Sequence, residues 1–384
     1  MYSIQWHKSI KEIDQSEWDD LADSKIQDSH AWLATIENTF EGKPNSHYAV
    51  VKKGEQVVGG CICYIRQQSG RLKDLDTLIL GRIKHWCNRM GITLAPVLYC
   101  GQMHGSDEPF LFSKNLDKGE LDLLCSLLID AVEEKAQRFK CALCIDNMPE
   151  TNKSISLDMK ERGYFRTTNF PSCYLDIEWD SFEGYKNFIQ KVIGKKMKKA
   201  IQNEINRNNK AGVSIAPLAD IQDANDTLYQ LIDDHYRRLN QKSYPFTSQY
   251  LIHLKATFKD KVTIYTARKD GNYIAVCVSI RKADTVYVPL IGVNHDTAGN
   301  DFTYFNLAFY QPIRDAVEAG VKRIIFGNAQ YRAKMRRGCK LQYLTVYYKP
   351  YHNFYNLIAK YWFKWHEKHF LRKIAHQINE YIWW

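Results

Sequence analysis

Residues 301–320 read DFTYFNLAFYQPIRDAVEAG, and residues 321–344 read VKRIIFGNAQYRAKMRRGCKLQYL. Phe305, Leu307, Ala308, Ile313, Ala316 and Val317 recur at helical spacing, and Gly320 is a helix stop signal. Val321, Ile324, Ile325 and Phe326 then make a short run suited to a buried strand. Gly327-Asn328-Ala329-Gln330 is turn chemistry, and the cations Arg332, Lys334, Arg336 and Arg337 follow. A helix feeding a strand that ends in amides and cations suits an anionic substrate. The plainer alternative is a solvated basic loop behind an ordinary core strand.

Around this stretch lie 384 residues in all, 45% of them hydrophobic and 13% aromatic. That is enough for two cores of similar size. The formal net charge of +10 favours anionic partners: phosphorylated small molecules, nucleic acid or acidic membrane. The bases are scattered and no nucleic-acid module is recognisable, so sequence-specific DNA binding is not expected. Mean hydropathy is −0.44, as in soluble chains. Residues 1–15 lack the apolar core of a signal peptide, and no run is apolar for long enough to span a bilayer. A cytoplasmic location is the expectation. Ten cysteines are scattered along the chain. Cys61 and Cys63 share one face of an expected strand. Cys141 and Cys144 form a CxxC, but within CALCID, a run that reads as a buried strand. No second CxxC or His pair accompanies it at zinc spacing, so no metal is expected.

Taken in order, the first half reads as a strand at 2–6, helices starting near 14 and 29, and strands at 47–52 and 56–65 joined by a Lys-Gly-Glu turn. A basic irregular segment follows at 66–93, with Arg66, Arg71, Lys73, Arg82, Lys84 and Arg89. Then come a strand at 92–100, a polar loop at 101–118, and an amphipathic helix at 120–138 with Leu121, Leu124, Leu128, Ala131 and Val132 on its apolar side. A strand at 141–146, a helix at 154–163 and a strand at 172–177 complete the half. The second half has helices at 182–192 and 194–210, a strand at 212–217, and helices at 220–240 and 248–258. A hairpin turns at Asp270-Gly271, and a strand at 284–293 leads back to the opening stretch. The two halves share an element order, which is a repeat of architecture without a visible repeat of sequence. The expected fold class is α/β (α+β): two tandem domains, each a mixed twisted sheet flanked by helices, at 1–177 and 178–349, with a helical tail at 350–384.

Two basic segments stand out. Lys195, Lys196, Lys198 and Lys199 cover more than one face of the helix at 194–210, while Met197, Ile201 and Ile205 give it a docking seam. That helix is either a solvated face or an anion-binding edge. In the tail, Phe354, Leu357, Ile358, Tyr361, Trp362 and Trp365 carry apolar surface. Lys360, Lys364, Lys368, Arg372 and Lys373 flank it, and Trp383 and Trp384 follow. Both an interfacial membrane helix and a helix docked on its own domain have this composition.

The element order resembles that of the GCN5-related N-acetyltransferase superfamily, and two copies in one chain resemble the Fem-type peptidyltransferases. The stretch at 301–349 is most similar to proteins of peptidoglycan biosynthesis and recognition and to the BioF2-like acyltransferase domain. The residues that carry this are Tyr304-Phe305, Gly320, Phe326-Gly327, Lys334 and Arg337-Gly338, with Ser29-His30-Ala31-Trp32-Leu33 in the first half. Three features depart from the pattern, one of them the lack of the long coiled-coil arm of some Fem-type enzymes. Arg332-Ala333 stands where the closest group often has Glu-His. The segment 297–301 offers one glycine where simpler acetyltransferases have a Gly-rich cradle for the CoA pyrophosphate.

The resemblance implies an N-acyltransferase. It would move an acyl group from CoA, an acyl carrier protein or aminoacyl-tRNA to an amine-bearing small molecule or envelope precursor. No tightly bound cofactor is expected. Such chemistry needs a deprotonated amine, a stabilised carbonyl oxygen and an accommodated leaving group. Lys334 is the candidate cation for the oxyanion, and its replacement by Ala is expected to abolish turnover without lowering the melting temperature. His235, flanked by Asp233 and Asp234, is the candidate base, and Tyr331 a further catalytic candidate. Tyr304, Asn328, Arg332, Arg337, Lys195 and Tyr236 are candidate substrate-binding residues. The alternative function is a non-catalytic binder of an anionic envelope precursor, with peripheral membrane contact through 350–384.

Overall fold

The computed structural model describes residues 1–23, 25–42, 44–66, 79–80, 83–90, 94–105, 108–149, 158–222, 224–351 and 356–379. Arg71, Lys73, Arg82, Phe354, Trp383, Trp384 and the start of the helix expected at 154–163 lie outside the described residues. The first elements are β1 (Tyr2–His7), α1 (Gln15–Ala22), α2 (His30–Thr39), β2 (Ser46–Lys53), β3 (Gln56–Arg66), α3 (Lys84–Arg89), β4 (Val97–Cys100), β5 (Phe110–Phe112), α4 (Lys118–Arg138), β6 (Ala142–Pro149) and β7 (Phe165–Thr168). There follow β8 (Ser172–Asp176), α5 (Phe182–Val192), α6 (Lys195–Lys210), β9 (Ser214–Pro217), α7 (Asn225–Asn240), α8 (Tyr250–Phe258), β10 (Val262–Lys269), β11 (Asn272–Lys282) and β12 (Thr285–Val293). The chain ends with α9 (His295–Ala298), α10 (Thr303–Phe305), a π-helical turn (Asn306–Tyr310), α11 (Gln311–Glu318), β13 (Arg323–Gly327), α12 (Tyr331–Met335), β14 (Lys340–Gln342), β15 (Leu344–Lys349) and α13 (Asn356–Asn379).

Two compact units result, one of Met1–Pro171 with Gln342–Trp384 and one of Ser172–Leu341. This differs from the expected consecutive domains. The strand at 172–176, expected to close the first domain, pairs antiparallel with β13 in the second unit. Conversely β15, expected in the second domain, lies between β6 and β7 in the first unit's sheet. The tail helix α13 belongs to the first unit as well. The physical reason is that a strand's local pattern specifies which face is buried but not which neighbour completes its ladder.

In the first unit the sheet order is β1-β2-β3-β4-β6-β15-β7, with β5 on β3. One face packs on α4 through Leu124, Leu128, Ile129 and Val132, against Leu98 and Ile145. Leu121, expected on that apolar side, faces solvent instead at 38% exposure. The other face gathers Tyr64, Tyr99, Val346 and Tyr348 against Phe363 of α13.

In the second unit the order is β14-β8-β13-β12-β11-β10-β9. Asp270 and Gly271 both have positive φ, 51° and 80°, as a tight hairpin turn between β10 and β11 requires. Met197, Ile201 and Ile205 are buried, so α6 docks along the expected seam. Helix α7 lies directly on β12. A Cβ at Gly292 would fall 2.7 Å from the Ile232 nitrogen, so only glycine allows that approach.

Candidate active site

The parallel strands β12 and β13 pair only through Thr285–Arg323, Val286–Ile324 and Tyr287–Ile325. Beyond Tyr287 they separate. Against β11, β12 advances from Tyr287 to Leu290 while its partner advances from Ile280 only to Val278. That is a bulge, and it falls on Val288 and Pro289. Proline has no N–H to offer a neighbouring ladder, which suits the point where β12 leaves its partner. Strand β13 is irregular there too: Ile325 pairs Tyr174 and Gly327 pairs Cys173, leaving Phe326 as the extra residue. The result is a wedge opening toward the carboxyl ends of two parallel strands, a recurrent position for ligands in α/β sheets. Val288, Pro289, Ile291, Gly327, Tyr304 and Phe305 are half-buried, as expected of residues near a cleft.

The loop leaving β13 is strained. Gly327, Ala329 and Gln330 have φ of 66°, 70° and 52°, and two of these residues carry a Cβ. Lys334 holds it. Its side chain is 5% exposed, and its Nζ donates to the carbonyls of Phe326 (2.7 Å), Gly327 (3.1 Å) and Asn328 (2.9 Å). An ammonium has three donors, and all three are used. Burial lowers the Lys334 pKa from its ordinary value. This geometry makes Lys334 a positioning residue for the wedge rather than a free cation for an oxyanion.

Arg337 is likewise internal. Its Nη2 is 2.6 Å from Glu204 Oε2, Nε donates to Tyr310 Oη at 3.0 Å, and Nη1 donates to the Ala333 carbonyl at 3.0 Å. The guanidinium also sits 3.5 Å from the Phe305 ring centroid. Arg337 is 3% exposed, and these partners satisfy it without a substrate. Arg337, expected to bind substrate, ties α6 to the π-helical turn through these contacts. Lys195 and Asn328 are exposed, and Arg332 is half-buried. Tyr331 is buried at 3% exposure, and burial raises its phenol pKa. Tyr304 is pushed up to about 12 by burial, its ring among Phe305 and Phe309.

His235, on α7, meets a residue that sequence reasoning passed over. Its Nδ1 lies 3.1 Å from His295 Nε2, with the rings 13° from parallel. His295 opens α9, immediately past the carboxyl end of β12. The two rings can share one proton across that contact, one nitrogen donating and the other accepting. Burial pushes His235 down to about 4, with His295 and Arg238 adding to the effect. Burial also lowers His295, helped by Arg238 and opposed by Asp296. Both shifts favour the neutral imidazole at neutral pH. The sequence signal was a histidine directly after a strand end, in Asn294-His295-Asp296. Tyr236 next to this pair is half-buried, its ring 5.4 Å from Tyr244.

The helix starts beyond β12 are occupied by the chain's own acceptors. Asn294 Oδ1 takes the amides of Asp296 (3.0 Å) and Thr297 (3.2 Å). Asp301 Oδ1 takes the Thr303 amide at 3.0 Å, and its Oδ2 lies 3.6 Å from Lys269. Helix N-termini bind anions through such amides, so a diphosphate here would meet a carboxylate already in place. In the first unit, the thiols of Cys61, Cys63 and Cys100 lie within 4.8 Å of one another. They are fully enclosed in the core and offer no open position for a reacting ligand.

Comparison with known proteins shows the fold. The structure of FemX aligns with 93% of this chain and 100% of its own at a TM-score of 0.57 and 10% identity. The C-terminal domain of a putative lysylphosphatidylglycerol synthetase from Agrobacterium fabrum covers 88% and 92% at 0.54 and 11% identity. A tandem GNAT protein from the clavulanic acid biosynthesis pathway covers 92% and 99% at 0.51 and 10% identity. The chain thus shares the two-unit α/β fold of these structures. A search of curated protein sequences returned no match. The model of the FemAB-like family, proteins of peptidoglycan biosynthesis and recognition, matches residues 9–382. Spanning nearly its whole length, that match makes the chain a member of the FemAB-like family.

Proposed function

We propose that this protein is an aminoacyl- or acyltransferase that builds an amide on an amine of a cell-envelope precursor, with its reaction centre in the β12–β13 wedge. The observation that carries the reading is the double bulge at Val288–Pro289 and Phe326, which leaves strand backbone facing an opening toward the carboxyl end of β12, past which the histidine pair sits. Family membership supports the envelope context. An extended acyl or aminoacyl chain would lie along the unpaired edge of β12 and take its backbone hydrogen bonds.

The acceptor nitrogen attacks the donor carbonyl directly, forming the C–N bond as the C–S or C–O bond to the donor breaks. His295 takes the proton that nitrogen loses, and the leaving sulfur or oxygen ends with one proton. His235 is a positioning residue that fixes the His295 tautomer through the 3.1 Å contact. The filled helix starts at Asn294 and Asp301 favour a donor gripped elsewhere than at a diphosphate, with aminoacyl-tRNA first.

A second reading, a non-catalytic binder, draws on the internal partners of Lys334 and Arg337, which leave neither cation for an oxyanion. The test is product formation. Purified protein is incubated with aminoacyl-tRNAs, carrier thioesters or acyl-CoAs and with amine-bearing envelope precursors, and amide products are sought by mass spectrometry. His295→Gln should lower kcat while leaving the melting temperature unchanged. Absence of product with every donor class, alongside binding of a precursor, would establish the second reading.

A further inference from the structure

The two sides of helix α13 have different fates. Phe363, His366, Phe370 and Ile374 are buried and form one helical stripe. They seat on the first unit's own sheet. Phe363 stacks on Phe165 and Tyr348 at 5.6 and 5.4 Å between ring centroids. His366 Nδ1 lies 2.8 Å from Thr167 Oγ1, and Phe370 meets Phe170 at 4.9 Å. Intramolecular docking is therefore complete without the outer stripe.

That outer stripe exposes Tyr361 (68%), Trp365 (50%) and Leu371 (38%). Lys360, Lys364, Lys368 and Arg372 are exposed between them. None of these four cations meets an acidic partner among the described residues. On the inner side, Trp362 Nε1 donates to the Ile79 carbonyl at 3.1 Å.

We propose that this outer stripe of α13 seats the protein on an anionic lipid bilayer. The helix lies in the interface plane, with Trp365 and Tyr361 at headgroup depth and the cations on lipid phosphates. Charge selects this occupant. A second copy of the chain would bring the same four cations face to face across a twofold contact, whereas an anionic surface complements them. Aromatics interleaved with cations also match the two contributions to such binding, apolar insertion and surface potential. The inference stands apart from the transferase reading, because it uses neither the wedge nor the histidine pair.

The experiment is co-sedimentation of the full chain with vesicles of phosphatidylcholine alone or mixed with phosphatidylglycerol. Binding to the mixed vesicles, weakened by added salt, is the expected result. The triple variant Lys364→Gln, Lys368→Gln, Arg372→Gln removes three cations, and at roughly fivefold each its partitioning should fall about 100-fold. A second variant, Tyr361→Ser with Trp365→Ser, tests insertion: quenching of tryptophan emission by brominated lipid should drop while the melting temperature holds. Equal sedimentation with both vesicle types, or a triple variant that binds as the parent does, overturns the proposal. So does light scattering that shows a dimer lost in the second variant, since the stripe would then be covered by another copy.

Discussion

Replacing Lys334 by Met separates a positioning lysine from a catalytic one. Methionine keeps the length of the apolar stem, so the change removes the ammonium and little volume. Three charge-assisted hydrogen bonds disappear, to Phe326, Gly327 and Asn328. Each such bond contributes about 1.5–3 kcal/mol. Asn328 is exposed, so its carbonyl regains water, and relief of the buried ammonium offsets part of the remainder. The net loss is about 3 kcal/mol. For a domain of this size that lowers the second unit's melting temperature by about 6–12 °C. Differential scanning calorimetry of the variant against its parent reads this directly. Hydrogen exchange at 327–330 should rise, because the positive-φ residues lose the group that holds them. A melting temperature within about 2 °C of the parent, with turnover abolished, would refute the reasoning and return Lys334 to the oxyanion role.

Other perturbations follow from the same geometry. Arg337→Met leaves the half-buried Glu204 without its cation and should cost about 3 kcal/mol; pairing it with Glu204→Leu should recover part of that in a urea-unfolding double-mutant cycle, and strict additivity would show that the two do not interact. Gly292→Ala places a Cβ 2.7 Å from the Ile232 nitrogen, so α7 must move off β12 at a cost of about 1–3 kcal/mol; an unchanged unfolding midpoint would contradict that close approach. Burial pushes His235 down to about 4 in the fold, below the ordinary imidazole value of about 6.5, so between the two the unfolded chain binds the extra proton. Stability then falls as pH drops through this window, by up to about 3 kcal/mol. His235→Asn should lose less on acidification, and parallel stability curves for the two proteins would count against it.

Much of the fold was legible because its signals are local. The run from Phe305 to Phe326 has helical and then strand character, Asp270-Gly271 marks its hairpin, and Met197, Ile201 and Ile205 mark a docking seam. What escaped is long-range. Lys334 looked like a free cation because backbone carbonyls, its real partners, leave no trace in a sequence. Arg337 finds Glu204 across 133 positions, and His235 finds His295 across 60. In the tail, Tyr361 and Trp365 were grouped with the apolar surface. The stripe that docks on the sheet is instead formed by Phe363, His366, Phe370 and Ile374, a rotation that periodicity alone does not fix when aromatics occupy several faces.

The placement of β15 bears on the order in which a ribosome can finish this molecule. The second unit's sheet has all its strands once Gln342 has emerged. The first unit, synthesised earlier, waits for Leu344–Lys349 to fill the slot between β6 and β7. Until then β6 presents an open hydrogen-bonding edge, the kind of surface on which nascent chains pair wrongly. The half made first is therefore completed last, and a stop codon placed just before β15 would release a chain with a finished second unit and a first unit that cannot close its sheet.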